Sequence, residues 1–547
     1  MHIHLVNLPR YDPKRPPVGV AIIAALCARE GVAHSVQDFA LDMSQWHLNG
    51  YDPSLYWDVD NFCITGNISP ESRQALIEIV DRHVDEVVAE HPDVMFALSL
   101  LSTWSRSVAE VWCDSIRRYP TAKILLGGQG LIDPLWTEDL YSRGRIDFFM
   151  VGEAEIIFPK FLKGERELPG LNNYNYQQID DLDTYCVIPD LSKFPLLRYP
   201  QLSGDHKAGA YITASRGCVR RCSYCDVPFQ WKKYRYRSAQ KVADEIIAQY
   251  ERYGITDFYF TDSLVNGSIS QLDELCNILV NYYQTTGARR FRLGGQYIFR
   301  PASQVKPDHI ARIKAAGFDH LIIGLETGSD RVRFDMNKKH TMDDAEYSLE
   351  LFRKNDISCT LLMMTGWVTE TIDDHQATMN MFPRWQKYVA TGTIKAIELG
   401  FTLMILDDSP VGQMHAEYGI EMMEDKRYLW TASTNPDLTV HERYRRRVEL
   451  HRQAHQYKWP VTKNLYRLQT VRANVEEAIL IKQKQLKGSV RRIEIRPEVQ
   501  HLSLVGKADL KDQWVYWTKR QRKEFIDSNG KDILSPMDDV TDNLLNG

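Results

Sequence analysis

Apolar runs alternate with helix-length segments through the first 160 residues. Helical patterns at 18–31 and about 105–118 lie between some of these runs. The runs are IHLVNLP at 3–9, SVQDFALD at 35–42, DVMFALSLLS at 93–102, AKILLGGQG at 122–130 and IDFFMVGEAE at 146–155. Near-continuous apolar strands between amphipathic helices are typical of a parallel sheet covered on both faces. The pattern predicts a doubly wound α/β domain over 1–160, with its ligand-binding loops at the strand ends.

A second series of strand-like runs follows a segment rich in turn formers. Residues 161–208 show little periodicity, so we interpret them as a linker. The later runs are GAYITAS at 209–215, DFYFTDS at 257–263, FRLGGQYI at 291–298, HLIIGLE at 320–326, SCTLLMMTG at 358–366 and IKAIELGFTLMIL at 394–406. Six such units predict a partial (β/α)6 barrel over 209–411. Residues 412–547 are predicted to be mainly helical and contain Trp430, Trp459, Trp514 and Trp517.

Length and composition agree with a protein of several domains. The chain has 547 residues, more than one hydrophobic core normally supports, so we expect two or three domains. Its hydrophobic fraction of 44% and charged fraction of 25% are ordinary for a globular protein, and no apolar run approaches the roughly 20 residues of a membrane span. The N-terminus does not resemble a secretory signal, so a cytoplasmic location is expected.

The net charge of −5 gives the chain no overall attraction for nucleic acid. Basic residues concentrate locally, in RYRRR at 443–447 and in the segment 482–492. We interpret these segments as solvated helix faces. The alternative is that they bind nucleic acid.

Three of the nine cysteines lie within eight positions, directly after the first predicted barrel strand. Cys218, Cys222 and Cys225 could converge on one centre, and thiolates suit iron–sulfur clusters or zinc. A structural zinc site would normally use a fourth ligand, and the nearest histidine, His206, precedes the strand. Three cysteines can instead leave one iron of a 4Fe–4S cluster open to a small molecule. The remaining six cysteines are expected to be small buried hydrophobic residues.

The cysteine spacing, with Tyr224 before the last cysteine, resembles the C-x-x-x-C-x-x-C signature of the radical S-adenosylmethionine (SAM) superfamily. The resemblance implies a 4Fe–4S cluster whose open iron binds the amino and carboxylate groups of SAM. It further implies that an electron from the cluster cleaves SAM to a 5′-deoxyadenosyl radical, with chemistry supplied by the cofactors. A reducing partner such as flavodoxin or ferredoxin is expected.

Later segments continue this resemblance through the predicted barrel. FYFTDSLVNG at 258–267 resembles the second-strand segment and LIIGLETGSDRV at 321–332 resembles the fourth-strand motif that contacts SAM. MMTGWVTETIDD at 363–374 resembles the fifth-strand G-x-P-x-E-T stretch, with Val368 in place of proline. The candidate SAM-contacting residues are Tyr224, Asp262, Gln296, Gly324, Glu326 and Ser329. Asn266 and Arg300 could also face the site, although helix capping for Asp262 and Asn266 and a surface position for Arg300 are simpler interpretations.

The first domain resembles the cobalamin-binding domain that precedes the barrel in one branch of this superfamily. The matching stretches are RPPVGVAIIAALCAREG, SLLSTWS, ILLGGQG and DFFMVGEAE. The resemblance implies a slot for the lower nucleotide tail of cobalamin, lined by Ser99, Ser102, Thr103, Gly127 and Gly128. The chain has no D-x-H-x-x-G motif, so no histidine is implied as a cobalt ligand, and Trp104 or Arg106 could cover the lower face.

The resulting hypothesis is a cobalamin-dependent radical SAM methyltransferase that acts on an unactivated carbon of a small molecule or peptide. One alternative is a radical SAM enzyme that catalyses oxidation, cyclisation or rearrangement. In that enzyme the first domain would bind no cofactor and would serve as a lid. Another is an iron–sulfur regulator that binds nucleic acid and has no catalytic activity.

Overall fold

The computed structural model describes residues 1–9, 11–131, 133–199, 209–423 and 426–462. His206, Trp514, Trp517 and the basic segment 482–492 lie outside the described residues. None of the helices in the described ranges has the length and apolar character needed to cross a membrane.

The N-terminal region contains a five-stranded sheet with the order β2-β1-β3-β4-β5. Its strands are β1 (His2–Asn7), β2 (His34–Asp38), β3 (Val94–Ser99), β4 (Lys123–Gly127) and β5 (Phe148–Met150). Its helices are α1 (Val18–Arg29), α2 (Phe39–Ser44), α3 (Pro53–Thr65), α4 (Pro70–Glu90), α5 (Arg106–Ile116), α6 (Pro134–Ser142) and α7 (Ala154–Leu162). All four strand pairs are parallel, and Leu5 lies between Val36 and Ala97. The predicted doubly wound sheet is therefore confirmed.

Burial explains these elements. In β1 every residue from Ile3 to Asn7 is buried, as expected for a strand covered on both faces. Helix α4 begins at the cap Ser69, and its buried residues recur at the three- and four-residue spacing of one helix face. These buried residues are Leu76, Ile79, Val80, Val84 and Val88.

The second part of the chain forms a six-stranded sheet in the order β13-β12-β11-β10-β9-β6. Its strands are β6 (Ala210–Ile212), β9 (Asp257–Phe260), β10 (Arg292–Tyr297), β11 (Phe318–Glu326), β12 (Ser358–Thr365) and β13 (Ile394–Thr402). The intervening helices are α8 (Val227–Gln230), α9 (Ala239–Tyr253), α10 (Ile269–Thr286), α11 (Pro307–Ala316), α12 (Asp330–Asp335), α13 (Met342–Lys354) and α14 (Ile372–Ala390). Strands are added in chain order with helices between them, which confirms the partial (β/α)6 barrel.

Two short antiparallel pairs complete the described elements. Strand β7 (Ser215–Arg216) pairs with β8 (Arg235–Tyr236), and β14 (Ile420–Met423) pairs with β15 (Lys426–Ala432). Helices α15 (Pro410–Gln413) and α16 (Val440–Gln456) also lie in the C-terminal part.

The expectation of a solvated basic face at 443–447 is wrong for three of its four arginines. Arg443, Arg446 and Arg447 are only 1%, 4% and 1% exposed. Arg443 lies over the Trp430 ring at 3.7 Å, and Arg446 donates to the buried carboxylate of Glu370 at 3.0 Å. Arg443 and Arg446 thus contact groups inside the protein, which a composition argument does not detect.

The chain folds into two compact units. The first comprises residues 1–216, 235–262 and 270–293, and the second comprises 217–234, 263–269 and 294–547. The first unit includes β6 and β9 because the segment after β1 packs on them. Its Arg15 pairs with Asp257 and lies 5.5 Å from the ring centres of both Tyr211 and Tyr259. The domain bounds expected from the sequence remain a prediction.

Candidate functional site

The three clustered cysteines lie on residues 217–226, between β7 and α8. The β7–β8 pair brings Arg216 opposite Arg235 and so joins the two ends of this segment. Gly217 has a φ of +87°, and a Cβ at this position would lie 2.6 Å from the carbonyl oxygen of Lys233. Glycine is therefore required where the cysteine loop, defined as residues 217–234, begins.

One buried carboxylate binds both arginines that flank this loop. Glu153, whose side chain is fully buried, accepts from Arg216 Nη1 at 2.7 Å and from Arg235 Nη1 at 2.8 Å. Glu155 pairs with Arg216 as well, and the backbone N–H of Ile179 donates to Glu153. No sequence pattern marks Glu153 as a partner of the loop, because Arg216 lies more than 60 residues away in the chain.

All nine cysteines are free thiols, and Cys218, Cys222 and Cys225 are half-buried. Burial raises the pKa of each of these three thiols, that of Cys225 to about 12, so they must lose protons when they bind a metal. Among the described residues, no three His, Cys, Asp or Glu side chains are placed to hold one metal ion. In a 4Fe–4S cluster the cysteines bind different irons and need not meet at one point, so the soft thiol donors of this loop fit such a cluster.

Tyr224, within the cysteine loop, forms a closed hydrogen-bonded triangle with Glu326 and Lys338. The Tyr224 hydroxyl donates to Glu326 Oε1 at 2.9 Å, and Lys338 Nζ donates to the same oxygen at 2.8 Å and to the hydroxyl at 3.0 Å. Burial, followed by the neighbouring Glu326 carboxylate, raises the pKa of Tyr224 well above its usual range. The hydroxyl therefore stays protonated and continues to donate.

The backbone of β11 makes room for this triangle. Glu326 has a φ of +70°, unusual for a residue with a Cβ, and the register with β12 shifts between Gly324 and Glu326. A Cβ at Gly324 would lie 2.5 Å from Glu326 Oε1 and 3.1 Å from Lys338 Nζ. The structure thus brings together the predicted residues Tyr224, Gly324 and Glu326. Lys338 was missed, because no motif in the sequence marks it.

Ser329 supports neighbouring helices. Its buried hydroxyl donates to Asp374 Oδ1 at 2.6 Å and accepts from the N–H of Val332 in the first turn of α12. Burial opposes ionisation of Asp374, but hydrogen bonds from Arg331, Ser329 and Thr371 together lower the pKa of this carboxyl. Asp374 also forms a capping box with Thr371 at the start of α14.

Asp262 and Gln296 occupy different environments. Asp262 is 3% exposed and accepts from the Ala214 N–H at 3.0 Å and from the Ser215 hydroxyl. Burial raises the pKa of Asp262 to about 6. Gln296 is an exposed residue of β10 whose carbonyl accepts from the N–H of Val265.

The side chains of Asn266 and Arg300 form hydrogen bonds with backbone groups. The Asn266 side chain exchanges hydrogen bonds with the backbone of Ile298, at 2.9 Å and 3.1 Å. Arg300 is half-buried, and its guanidinium donates to the carbonyls of Asn266 and Gly267. Both side chains therefore fix the segment between β9 and α10.

In the first unit, the loops after β3 and β4 lie side by side. Ser99 is opposite Gly127, the N–H of Leu100 donates to the Gly127 carbonyl at 2.8 Å, and the N–H of Gly130 donates to the Leu100 carbonyl at 2.9 Å. Gly128 has a φ of +100°, and a Cβ there would overlap the Leu100 carbonyl. Gly128 is therefore required by the loop itself.

The same loops contain polar atoms that suit a ligand. The hydroxyls of Ser102 and Ser105 are buried and have no hydrogen-bond partner among the described residues. A Cβ at Gly127 would meet no described atom within 4 Å. Buried hydroxyls without partners are costly, so these residues fit a polar group such as the nucleotide tail of cobalamin. Ser105 was missed because its side-chain burial could not be read from the sequence.

Arg106 and Trp104, the two residues that could cover the lower face of cobalt, have different surroundings. Arg106 pairs with Asp133 at 2.8 Å, lies 4.9 Å from the centre of the Trp136 ring and donates to the Gly130 carbonyl at 3.4 Å. Its guanidinium is thus held by the protein, whereas Trp104 is half-buried and Thr103 is exposed in the 3-10 turn Thr103–Ser105.

Residues 212–382, which contain the cysteine loop and the triangle, match the family model of the Radical SAM superfamily. These residues form a radical SAM domain. Curated relatives include a tRNA-2-methylthio-N(6)-dimethylallyladenosine synthase of Hydrogenobaculum sp., 27% identical over 35% of this chain and 44% of that protein. Another is an anaerobic magnesium-protoporphyrin IX monomethyl ester cyclase of Synechocystis sp., 26% identical over 46% of this chain and 51% of that protein. The chain spans about half the length of these two relatives.

Two solved structures share the fold of this chain, and the similarity extends beyond the radical SAM domain. OxsB, described as a cobalamin-dependent SAM radical enzyme with aqua-cobalamin bound, aligns with 96% of this chain and 75% of its own, at a TM-score of 0.61 and 14% identity. The radical SAM methyltransferase TsrM from Kitasatospora setae aligns over 77% of each chain, at a TM-score of 0.56 and 18% identity. At these identities the likeness concerns the fold. The expected architecture of a doubly wound domain before a radical SAM domain is confirmed.

Proposed function

We propose that this protein is a cobalamin-dependent radical SAM enzyme, and that it transfers a methyl group to an unactivated carbon of a small molecule or peptide. The observation that carries the proposal is the cysteine loop inside a matched radical SAM domain, with Tyr224 bound to Glu326 and Lys338 beside it. The fold shared with OxsB and TsrM supports the cobalamin part.

Cys218, Cys222 and Cys225 would hold the cluster as thiolates, leaving one iron for SAM. A 4Fe–4S cluster and cobalamin, when bound, supply the electron that cleaves SAM and the methyl carrier. The task of the protein is to hold these groups in place and keep water away. The buried triangle serves this task because it fixes the Tyr224 ring next to Cys225.

Two further sets of residues position the loop ends. Glu153 binds Arg216 and Arg235, the residues on either side of the loop. Asp262 binds Ala214 and Ser215 immediately before it. Both ends of the loop are thus fixed by buried polar contacts, which reduces the conformational freedom lost when a cluster binds.

For cobalamin, the Ser102 and Ser105 hydroxyls would donate to polar groups of the nucleotide tail, and the open space at Gly127 would admit its atoms. Ser99, Thr103 and Gly128 belong to the same two loops. The unpartnered hydroxyls favour a bound ligand over an empty lid, because a domain without a ligand would gain stability by losing them.

The nucleic-acid hypothesis receives no support from the described basic helix. Arg443, Arg446 and Arg447 are buried and bind within the protein or lie inside its core. Phosphate contacts require exposed cations, so these three side chains do not reach a phosphate backbone.

Anaerobic reconstitution with iron, sulfide and hydroxocobalamin tests the proposal. We expect cluster and corrinoid absorbance bands, and transfer of the label from methyl-labelled SAM to product together with 5′-deoxyadenosine. Cys218→Ala should abolish the cluster band and SAM cleavage, while Cys186→Ala, outside the loop, should retain both. Gly127→Trp should prevent corrinoid retention, while Gly127→Ala should permit it. SAM cleavage without corrinoid binding would favour the enzyme of oxidation, cyclisation or rearrangement, and absence of a cluster would refute both.

A further inference from the structure

The cysteine loop is strongly basic in a chain whose net charge is −5. Residues 217–234 contain Arg220, Arg221, Lys232 and Lys233 but only one carboxylate, Asp226. Arg221 and Lys232 are exposed. The Asp226 carboxylate accepts from the neutral amide of Gln230 at 3.0 Å, and within this segment it is the one negative charge against four cations.

Large apolar side chains are exposed among these cations. Val219 is 41% exposed and Phe229 is 49% exposed. Exposed apolar side chains that lie among charges are typical of surfaces that bind another protein.

The turn after α12 extends this surface. Asn337 Nδ2 donates to the Arg221 carbonyl at 2.8 Å, and the N–H of Ser223 donates to the Met336 carbonyl at 3.0 Å. Phe334, near the end of α12, is 54% exposed, and Lys339 is exposed on the turn. We define the loop surface as Val219, Arg221, Phe229, Lys232, Phe334 and Lys339.

We propose that the loop surface is the docking site of an acidic one-electron donor protein of the flavodoxin type. The inference rests on the proposed function, because it requires a cluster on Cys218, Cys222 and Cys225. Val219 directly follows Cys218 and Arg221 directly precedes Cys222, so a partner bound at the loop surface lies close to two of the cluster ligands. Positive charge on the loop complements an acidic partner.

The electron transfer is balanced between the two proteins. The flavodoxin hydroquinone loses one electron and becomes the semiquinone, and the oxidised 4Fe–4S cluster gains that electron. Complexes of this kind are small and transient, and they depend on charge for fast encounter. A patch of three exposed cations and three exposed apolar side chains is sufficient for such a contact.

The test compares Lys232→Glu/Lys339→Glu with Lys193→Glu/Lys306→Glu. The second variant makes the same change of charge at exposed lysines outside the loop surface. Each reconstituted protein is mixed anaerobically with flavodoxin hydroquinone or with reduced methyl viologen, and the decrease in cluster absorbance is followed by stopped flow. Equilibrium binding of fluorescently labelled oxidised flavodoxin to each protein is measured separately, with and without the cluster.

With flavodoxin at low ionic strength, we expect the loop variant to be reduced about tenfold more slowly than the unchanged protein, and the difference to shrink at high salt. Reduction by the cationic viologen should not slow, which shows an intact cluster, and the control variant should behave like the unchanged protein. Equal flavodoxin rates and equal binding for all three proteins would overturn the docking site. A protein that retains no cluster, or whose viologen-reduced cluster does not cleave SAM, would instead overturn the proposed function.

Discussion

Lys338 is a buried cation that pairs with the Glu326 carboxylate in the triangle with Tyr224. Its side chain is 8% exposed and its ion pair with Glu326 spans 2.8 Å. Lys338→Met would leave the Glu326 carboxylate buried without a cation, so we expect a loss of about 3 kcal/mol in the free energy of unfolding. Urea unfolding of the anaerobic apoprotein measures this loss.

Lys387→Met provides the matched control. Lys387 also pairs with a glutamate at 2.8 Å, but its side chain is 58% exposed, so the pair should contribute little. If both variants lowered the urea midpoint equally, burial of the Lys338 pair would not be the cause.

Glu153 is the second residue whose change should affect the cysteine loop. Glu153→Gln removes the charge that binds Arg216 and Arg235, and leaves two guanidinium groups beside a neutral amide. We expect about 3 kcal/mol lower stability and faster proteolytic cleavage within 217–234, with less iron retained after reconstitution. Glu110→Gln is the control, since Glu110 pairs with Arg145 at a side-chain exposure of 39%. Unchanged cleavage within 217–234 in the Glu153 variant would contradict the positioning role.

At the level of secondary-structure elements, the neighbouring glycines Gly127 and Gly128 at the end of β4 allow a direct comparison. Gly128→Ala places a Cβ against the Leu100 backbone at a φ of +100°, whereas Gly127→Ala places one in open space at an ordinary φ. We expect Gly128→Ala to cost about 2–4 kcal/mol of stability and Gly127→Ala less than about 1 kcal/mol. Chemical unfolding of the two variants side by side measures the difference. A larger cost for Gly127→Ala would show that the two loops approach each other differently.

The sequence predicted most elements well, because strands and helices differ in the period of their apolar positions. Five of the six barrel strands fall within the runs identified from the sequence, and β11 begins two residues before its run. Helix α16 shows the limit of such patterns. Its arginines suggested a solvated face, but Arg443 packs on Trp430 and Arg446 pairs with the buried carboxylate of Glu370. Composition does not reveal a partner such as Glu370, which lies 76 residues before Arg446.

Over the whole molecule, buried histidines make stability depend on pH. Burial lowers the pKa of His4 and of His320 to about 4, and that of His340 to about 3, from an ordinary value near 6.5. Below pH 6.5 the unfolded chain binds these protons while the folded protein does not, so stability falls as the pH falls from 6.5 to 4. Asp262 acts in the opposite direction, because burial raises its pKa to about 6 and the folded protein binds its proton first.

Among the described residues, five histidines have a lowered pKa and three carboxyls have a raised one, so we expect the urea midpoint to decrease from pH 7 to pH 5. His4 and His320 belong to different units, and each forms a hydrogen bond with a serine hydroxyl of a neighbouring strand. His4→Gln and His320→Gln should therefore each reduce proton uptake on unfolding at pH 5 by up to about one proton. His47→Gln, at a histidine in the short helix after α2, is the comparison. Proton uptake unchanged in both variants would show that these imidazoles are protonated in the folded protein.

The order and type of most elements and the cysteine motif could be read from the chain, because each depends on residues close together in sequence. Three features required the folded protein: Lys338 closes the triangle with Tyr224 and Glu326, Glu153 binds both ends of the cysteine loop, and the arginines of α16 are buried. Ion pairs and hydrogen bonds act over a few ångströms in space, and folding makes neighbours of residues that the sequence keeps far apart.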